Sequence, residues 1–247
     1  MDVNLNYKYF NKPFSYLVFD NFLSLEDQNQ IIEEISDLNK SFTVKRVMNG
    51  RYQYDTSHLK KNSLSDKLYN YFNSKETFDL IKKKLLLNES GSSNFHLEQS
   101  FDRITKNNKF ISKISRFLPF AFKNSFFLHM DFSVAKKDYF REPHHDKNTR
   151  IINFLLYLNT LENSGGALEI YRYKKNTNDY SQFPKFDDVE LDNKISPKGG
   201  KLVVFLSSPD SVHGVEKFYP IKDEKRFFIY GSYTSFFKVK WFKSNTI

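Results

Sequence analysis

Apolar and polar residues follow two different periods along the chain. Up to residue 94, apolar side chains recur at spacings of three and four, which predicts helices over residues 25–39, 63–72 and 74–87. One β-prone run at residues 14–20 predicts a strand before them. From residue 95 onward, short apolar runs are separated by Gly, Pro, Asn and Ser, as in strands joined by turns. The pattern therefore predicts a helical N-terminal layer followed by a β-rich region.

Each predicted helix gathers its apolar residues on one face. Ser24-Leu25-Glu26-Asp27 resembles a capping box, with Asp27 where Glu or Gln is usual, and it marks the start of the first helix. The residues expected to face the core are Leu25, Ile31, Ile32, Ile35 and Leu38 in the first helix, Leu64, Leu68, Tyr71 and Phe72 in the second, and Phe78, Ile81, Leu85 and Leu86 in the third.

The β-rich region contains candidate strands at a spacing typical of a sandwich or jelly roll. They cover residues 95–101, 126–134, 150–158, 167–173, 201–206, 212–216 and 226–236. A further helix is predicted over residues 111–122. Two long segments, 41–62 and 176–192, are largely polar, and the first is predicted to be a loop that can include short strands. The second is interpreted as a mobile insertion, and both are candidates for a lid over a binding pocket.

The composition excludes several kinds of chemistry. The chain of 247 residues contains no cysteine, which rules out disulfides, thiolate zinc sites and cysteine nucleophiles. His, Asp and Glu are therefore the residues expected to bind any metal. No apolar run approaches the roughly 20 residues that a membrane helix needs, and the first residues lack a signal-peptide pattern. A cytoplasmic protein without a membrane span is expected.

The net charge of +9 and the pI of about 9.3 raise the question of a nucleic-acid partner. The lysines are scattered or in short runs and do not form one stripe interleaved with aromatic residues. Lys, Asn, Ile, Phe and Tyr are all frequent while Ala and Gly are scarce, which is typical of the residue bias of an AT-rich genome. The scattered lysines and this residue bias therefore argue against nucleic acid as a partner.

One short motif carries metal-binding chemistry. His144 and Asp146 follow Pro143 at a predicted strand end and point the same way on an extended chain. His213 lies far along the sequence, on a distant strand that a barrel or sandwich would bring close. Two imidazoles and one carboxylate form the facial triad of non-haem Fe(II) oxygenases. His129 and Asp131 form a competing His-x-Asp pair, but they lie within an apolar strand.

Arg226 is the second candidate for a functional role. It begins an apolar strand, Arg226-Phe227-Phe228-Ile229-Tyr230, where a guanidinium needs an anion. The planar fork of Arg donors suits a carboxylate bound through both oxygens. His145, between the two proposed ligands, is expected to point away from the metal and to line the mouth of the pocket.

Six blocks of sequence resemble the prolyl-4-hydroxylase-like branch of the Fe(II)/2-oxoglutarate oxygenases. The resemblance covers about residues 126–236 and keeps the order of the family's motifs. The blocks are His144-His145-Asp146, residues 150–159, Gly165-Gly166-Ala167-Leu168-Glu169-Ile170-Tyr171, residues 197–205, Val212-His213-Gly214-Val215, and Arg226. The strand and helix at the N-terminus also look like the usual opening of this family. The resemblance implies a double-stranded β-helix buttressed by the N-terminal helices.

The resemblance also implies cofactors and residue roles. His144, Asp146 and His213 would bind Fe(II), with 2-oxoglutarate and O2 as co-substrates and ascorbate as a reductant. Arg226 would pair with the distal carboxylate of 2-oxoglutarate, and Tyr157 would bind the same carboxylate. The tyrosine that family members often carry on the strand before the His-x-Asp motif is missing, because Phe132 and Val134 stand there. Ser232 and Tyr233 are further candidates for this contact.

The expected reaction is hydroxylation of an unactivated C–H bond in a peptide residue, for example proline, or in a small metabolite. Related halogenases have a small residue at the position of Asp146, so the carboxylate favours hydroxylation. Two alternatives remain at this point: a demethylase acting on nucleic acid, whose Arg-x-Asn-x-Thr-x-Arg pattern is absent from the C-terminal strand, and a jelly-roll binding module without catalysis. A single domain over residues 1–247 is expected, with a helical part to about 94 and the jelly-roll core over about 95–240. The sequence leaves the oligomeric state open.

Overall fold

The computed structural model describes residues 1–41, 45–47, 50–54, 56–85, 95–99, 124–175 and 181–235. Three α-helices and thirteen β-strands lie in these ranges. The helices are α1 (Leu25–Ser41), α2 (Leu64–Phe72) and α3 (Lys75–Leu85), with short 3-10 helices at Thr56–His58 and Phe186–Asp188. The strands are β1 (Lys8–Phe10), β2 (Tyr16–Phe19), β3 (Lys45–Val47), β4 (Arg51–Tyr54), β5 (His96–Leu97), β6 (Ser125–Ala135), β7 (Arg141–His144), β8 (Arg150–Tyr157), β9 (Leu168–Tyr173), β10 (Val189–Ile195), β11 (Leu202–Leu206), β12 (His213–Val215) and β13 (Arg226–Ser235).

The strands form a large and a small sheet. The large sheet has the order β1-β2-β11-β8-β13-β6-β4-β3, and β5 pairs with β6 in parallel. The small sheet has the order β10-β9-β12-β7. The pairs within both sheets are otherwise antiparallel, and successive strands from β6 to β13 alternate between the two sheets, except that β9 and β10 both belong to the small one. This arrangement is the double-stranded β-helix, or jelly roll, that the sequence predicts.

Two apolar cores lie on the two faces of the large sheet. The outer face packs against the three helices, where Leu156 on β8 and Ile229 on β13 meet Ile31, Phe72 and Phe78. The inner face packs against the small sheet, in a cluster that includes Leu155, Val203, Leu168 and Ile170. β8 and β11 are buried on both faces, which explains why their sequences are continuous apolar runs.

The helices follow the sequence pattern closely. Ser24 Oγ accepts a hydrogen bond from Asp27 N at 3.0 Å, and Ser63 Oγ caps α2 by accepting from Asp66 N at 3.2 Å. Of the predicted core positions, Ile31, Ile35, Leu64, Leu68, Phe72, Phe78, Ile81 and Leu85 are buried. Ile32 and Tyr71 are half-buried, and the side chains of Leu38 and Leu86 lie outside the described ones. Leu25 is 70% exposed, because it occupies the first turn before α1 reaches the sheet.

Three strands, β1, β7 and β10, lie outside the ranges predicted to be strands. β10 begins at Val189, near the end of the segment predicted to be a mobile insertion, and it pairs with β9 as an edge strand. Only Val189 and Ile195 of this strand are buried, and a bulge interrupts the register, so its apolar alternation is weak. β3 and β4 are short strands within residues 41–62, as the prediction of a loop with short strands allowed, and they extend the large sheet from the N-terminal part of the chain. The predicted helix at 111–122 lies outside the described residues.

None of the helices in the described ranges combines the length and the apolar character that a membrane crossing requires. The expected cytoplasmic location stays a prediction, and so does the expectation that residues 1–247 form one domain. The N-terminal part contributes β1 to β4 to the same sheet as the later strands, so its role extends beyond a helical buttress.

Candidate active site

Two histidines and an aspartate meet where β7 and β12 pair. His213 lies directly opposite His144 in the strand register, and their ring centroids are 4.5 Å apart. Asp146 follows β7, and its Oδ2 lies 3.6 Å from His213 Nε2. One ligand atom from each of the three residues lies within 4.8 Å of the others, and all three side chains are buried. In the part of the chain that the structure describes, no other His, Asp or Glu residues form such a group.

Local structure on both strands holds the histidines in place. β7 is an edge strand of the small sheet, so Pro143 can precede His144 without breaking a ladder of hydrogen bonds. Before β12, Ser211 Oγ donates to Ser208 O at 2.8 Å and accepts from Ser208 N at 3.0 Å, which closes a tight turn. A Cβ at Gly214 would lie 2.8 Å from Arg141 O, so only glycine lets β12 approach β7 this closely.

Backbone carbonyls determine which nitrogen of each histidine faces the metal site. His144 Nδ1 lies 2.8 Å from Glu142 O, and His213 Nδ1 lies 2.9 Å from Ser211 O. Each Nδ1 must therefore carry the proton and donate it, which leaves Nε2 with a free lone pair. Burial lowers the pKa of His144 to about 3, and it also lowers the pKa of His213. Both rings are thus neutral at neutral pH, as metal ligands must be.

Two neighbours keep Asp146 in its charged form. Burial by itself would raise the pKa of this carboxyl, but the positive charge of Arg150, together with the two histidines and the hydrogen bond from Tyr230, outweighs it and the pKa falls to about 2. Arg150 forms an ion pair with Asp146 Oδ1. Tyr230 donates from its hydroxyl to Asp146 Oδ1 and Oδ2, at 3.3 and 3.2 Å, and accepts a hydrogen bond from Arg150. The carboxylate is therefore ionised and oriented without a metal.

Arg226 is a buried cation, and among the described residues no anion lies beside it. Its side chain is 1% exposed, and none of its three nitrogens has a hydrogen-bond partner in this part of the chain. The guanidinium lies over three aromatic rings, at 4.3 Å from the centroid of Phe228, 5.1 Å from Tyr157 and 5.7 Å from Tyr139. Gly166 makes this position available, because a Cβ there would lie 2.9 Å from Arg226 Cδ. A charge buried without a counter-ion is costly, so this arrangement indicates an anion site.

One cavity of about 440 Å³ joins the triad to Arg226. Its wall between them is apolar and includes Leu155, Leu168, Phe205 and Phe228. The volume is in the range of small-molecule sites. The two lid candidates of the sequence contribute to the same cavity, because Arg51 and Gln53 on β4 and Gln182 and Phe183 all line it.

The structure brings together four of the five predicted site residues and places the fifth differently. Tyr157 is fully buried behind the cavity wall. Its hydroxyl accepts from Leu168 N at 3.0 Å and donates to Ile195 O at 3.3 Å. Burial raises the pKa of this phenol, although the charge of Arg226 opposes the shift. Tyr157 is not among the described residues that line the cavity. It therefore supports Arg226 with its ring and joins β8 to the small sheet with its hydroxyl.

Tyr139 is a tyrosine of the cavity wall, whereas β6, the strand before the His-x-Asp motif, contributes no tyrosine. It is buried in the turn between β6 and β7, lines the cavity, and its ring centroid lies 6.0 Å from that of Phe228. Phe132 and Val134, the residues considered from sequence, belong to the outer core on the opposite face of β6. Tyr139 follows the end of β6 by four residues, so the sequence of that strand does not reveal it.

The competing pair and the intervening histidine have different surroundings. His129 and Asp131 face the cavity from β6, with His129 Nδ1 3.5 Å from Asp131 Oδ2, but they do not join the group of potential metal ligands. The expectation that His145 lines the pocket mouth is wrong. His145 is buried, its Nδ1 lies 3.1 Å from Asp146 O, and it is absent from the described cavity wall.

Comparison with known proteins gives a match of part of the chain to one family model and a similarity in fold to solved structures. The family model described as the 2OG-Fe(II) oxygenase superfamily matches residues 123–233. A prolyl-4-hydroxylase from Pseudomonas putida is similar in structure, with a TM-score of 0.50 and 16% identity over 89% of this chain and 92% of that chain. A prolyl hydroxylase from Trichoplax adhaerens, in complex with a peptide fragment of the hypoxia inducible factor oxygen degradation domain, has a TM-score of 0.54 and 14% identity over 89% and 83%. At such identities the likeness shows a shared fold. The comparison with curated proteins gave no match.

Proposed function

We propose that the chain is a 2-oxoglutarate-dependent dioxygenase that hydroxylates an unactivated C–H bond, because residues 123–233 match the model of the 2OG-Fe(II) oxygenase superfamily. The substrate would be a peptide residue, for example proline, or a small metabolite. The observation that carries the proposal is one cavity that holds three metal-competent donors at one place and an unpaired buried guanidinium at another.

The residues present fit an iron(II) site. Nε2 of His144, Nε2 of His213 and the carboxylate of Asp146 would hold the ion, and this ligand set leaves coordination positions open. When bound, iron(II) with 2-oxoglutarate supplies the O2 activation that converts R–H, O2 and 2-oxoglutarate into R–OH, succinate and CO2. Ascorbate would serve as the reductant that keeps the metal ferrous.

Protein side chains would position the co-substrate. Arg226 would bind the distal carboxylate of 2-oxoglutarate through its fork of donors, and this carboxylate would supply the charge that the buried guanidinium lacks. The hydroxyl of Tyr139 would add a second contact from the same end of the cavity. Tyr157 would act on the co-substrate through Arg226, by supporting the guanidinium with its ring. The apolar wall would exclude water from the carbon chain between the two ends.

The residues around Asp146 would keep the carboxylate ready to bind the metal. Arg150 and Tyr230 hold it charged and oriented, so binding does not require loss of a proton at neutral pH. A peptide substrate is supported by the peptide complex of the Trichoplax adhaerens neighbour. The positively charged side chains that line the cavity matter for a peptide and for a small metabolite alike.

Succinate release and metal binding test this function together. Purified protein with Fe(II), ascorbate, 2-oxoglutarate and O2 should release succinate, and Mn(II) should bind at one site as followed by electron paramagnetic resonance. Asp146→Ala should abolish both, whereas Asp131→Ala on β6 should retain Mn(II) binding. Loss of Mn(II) binding in Asp131→Ala with retention in Asp146→Ala would move the metal site to the competing pair and overturn the assignment.

A further inference from the structure

A row of charged and aromatic side chains continues beyond the proposed iron site along the inner face of the large sheet. Arg226, Phe228 and Tyr230 alternate inward on β13. Opposite them, β6 presents Ala135, Ser133 and Asp131 on the same face, and β4 continues the row with Arg51 and Gln53. The iron ligands and the co-substrate anchor proposed above do not account for the β4 residues.

Arg51 is held over this row by its backbone and by aromatic contacts. Gly50, with φ +83°, turns the chain into β4, and its carbonyl accepts from Lys136 N at 3.1 Å. The guanidinium of Arg51 lies 5.2 Å from the ring centroid of Phe228 and 5.5 Å from that of Tyr230. It donates to Ser133 Oγ from Nε at 3.2 Å and from Nη2 at 3.0 Å.

The partner of Arg51 is thus a neutral hydroxyl. Among the described residues, no carboxylate lies within ion-pair distance of Arg51, although the guanidinium lines the cavity. The described cavity wall as a whole carries five Arg or Lys side chains and two carboxylates, a surplus of three positive charges. Iron(II) and 2-oxoglutarate would add equal and opposite charges, so the surplus would persist in the loaded enzyme. A surplus of this kind attracts an anion.

The position of Arg51 separates it from the proposed anchor of 2-oxoglutarate. Arg51 and Arg226 both pair with Ala135 in the sheet, from opposite sides. Their backbones are therefore about 10 Å apart, twice the spacing of neighbouring strands. Arg51 extends toward Tyr230, whose hydroxyl contacts Asp146, so it lies on the side of the cavity that faces the reacting centre.

We propose that Arg51 binds an anionic group of the substrate, a carboxylate or a phosphate, and so holds the substrate over the metal site. Arg141 and Lys147 line the same cavity and add positive potential at its entrance. A bulge in β7 opposite β12 turns Arg141 inward, on the same face as His144. The inference rests on the proposed function, and it restricts the substrate to molecules or peptide termini that carry a negative charge.

Magnetic relaxation by Mn(II) can detect such a site without a known substrate. Protein loaded with Mn(II) and saturated with 2-oxoglutarate, in the absence of O2, is titrated with acetate, with acetamide as its neutral match, and with inorganic phosphate. We expect the methyl protons of acetate or the phosphorus of phosphate to relax faster on binding, and those of acetamide to show no binding. Acetate alone would assign a carboxylate, and phosphate alone would assign a phosphate ester.

Variants identify the residue responsible. Arg51→Gln should weaken anion binding about tenfold, since a charge-assisted hydrogen bond is lost, and Arg51→Lys should restore part of it. Lys136→Gln is the matched control, because Lys136 carries the same charge outside the cavity, over the ring of Tyr52. Mn(II) and 2-oxoglutarate affinities, measured first, should be the same in all of these variants.

Several results would overturn the inference. Equal anion binding by wild type and Arg51→Gln, or equal binding of acetate and acetamide, would show that Arg51 recognises no anion. A tenfold loss of 2-oxoglutarate affinity in Arg51→Gln would assign the residue to the co-substrate instead. Failure of the wild-type protein to bind Mn(II) or 2-oxoglutarate at all would be seen before any anion is added, and it would overturn the proposed function as well.

Discussion

Tyr230 donates hydrogen bonds from its hydroxyl to both carboxylate oxygens of Asp146, at 3.3 and 3.2 Å. The same hydroxyl accepts from Arg150, so the phenol links the carboxylate to its counter-ion. Groups that orient a metal ligand in this way are worth about 10- to 100-fold in metal affinity. Tyr230→Phe should therefore weaken Mn(II) binding by about tenfold or more, as measured by electron paramagnetic resonance.

Tyr233→Phe is the control for this prediction. Tyr233 lies three residues further along β13, on the outer face, and donates to Phe72 O at 2.8 Å. Its loss should lower the free energy of unfolding by about 1 kcal/mol and leave Mn(II) affinity unchanged. Equal Mn(II) affinity in Tyr230→Phe and wild type would show that Arg150 alone orients Asp146.

The unpaired charge of Arg226 leads to a prediction about stability as well as binding. Replacing a buried, unpaired cation with an apolar residue of similar length is often neutral or stabilising. Arg226→Met should therefore unfold at the same or a higher temperature than wild type when no 2-oxoglutarate is present. Wild type should be stabilised by 2-oxoglutarate, whereas the variant should lose that stabilisation, because affinity falls by roughly 100-fold.

Thermal unfolding with and without 2-oxoglutarate measures both effects, and Mn(II) binding should survive the substitution. Succinate, which has the same distal carboxylate but no keto group, serves as a second ligand. A large loss of stability in Arg226→Met without ligand would show that the guanidinium has a structural counter-ion.

Because both ligand histidines are buried and neutral, we expect the metal-free protein to lose stability in acid. Burial lowers the pKa of His144 to about 3, against about 6.5 in an unfolded chain. Between these values the unfolded state binds a proton that the folded state does not, so the free energy of unfolding falls as the pH falls. The pKa of His213 is lowered as well, in the same direction. From about pH 7.5 to 5.5, the neutral His144 should lower the free energy of unfolding by about 1.4 kcal/mol, and His213 should add a loss in the same direction.

Urea unfolding in the presence of a chelator at these two pH values measures the loss. His144→Gln should reduce the pH dependence, while His96→Gln, on a more exposed side chain, should not. The carboxyl of Asp146 does not contribute in this window, because its pKa of about 2 and that of an unfolded aspartate both lie below it. An unfolding free energy that stays constant in the wild type would contradict the buried neutral state.

Those parts of the fold that are buried on both faces were predictable from sequence. β8 and β11 are apolar throughout because one face meets the helices and the other meets the small sheet. β10 was missed because an edge strand buries only Val189 and Ile195, and its bulge shifts the alternation. Periodicity reports burial, so elements that are half in water leave a weak pattern.

The residues of the candidate site likewise differ in how far the sequence could predict them. The triad and Arg226 were recognised because their residue types and order are informative on their own. The side chains that hold them depend on strand register, which a local pattern does not contain. Arg51 and Arg226 approach one aromatic row only because β4 and β13 both pair with β6, and Arg141 turns inward only because β7 has a bulge.

Tyr139 and Tyr157 give the last prediction, because Tyr139 lines the cavity whereas Tyr157 is not among the described residues that line it. Tyr139→Phe should raise the KM for 2-oxoglutarate by roughly tenfold, since one hydrogen bond to a charged group is lost, with little change in stability. Tyr157→Phe should instead lower the free energy of unfolding by about 1–3 kcal/mol, because Leu168 N and Ile195 O lose their buried partner.

Kinetics of succinate release and urea unfolding of the same two variants separate these roles. Tyr157 contacts Arg226 through its ring, and phenylalanine retains that ring. The KM for 2-oxoglutarate in Tyr157→Phe should therefore stay within about threefold of wild type, which corresponds to about half the free energy of one hydrogen bond. If Tyr157→Phe raises this KM more than Tyr139→Phe does, the hydroxyl of Tyr157 must leave Leu168 and Ile195 when 2-oxoglutarate binds, and the cavity wall at β9 must move with it.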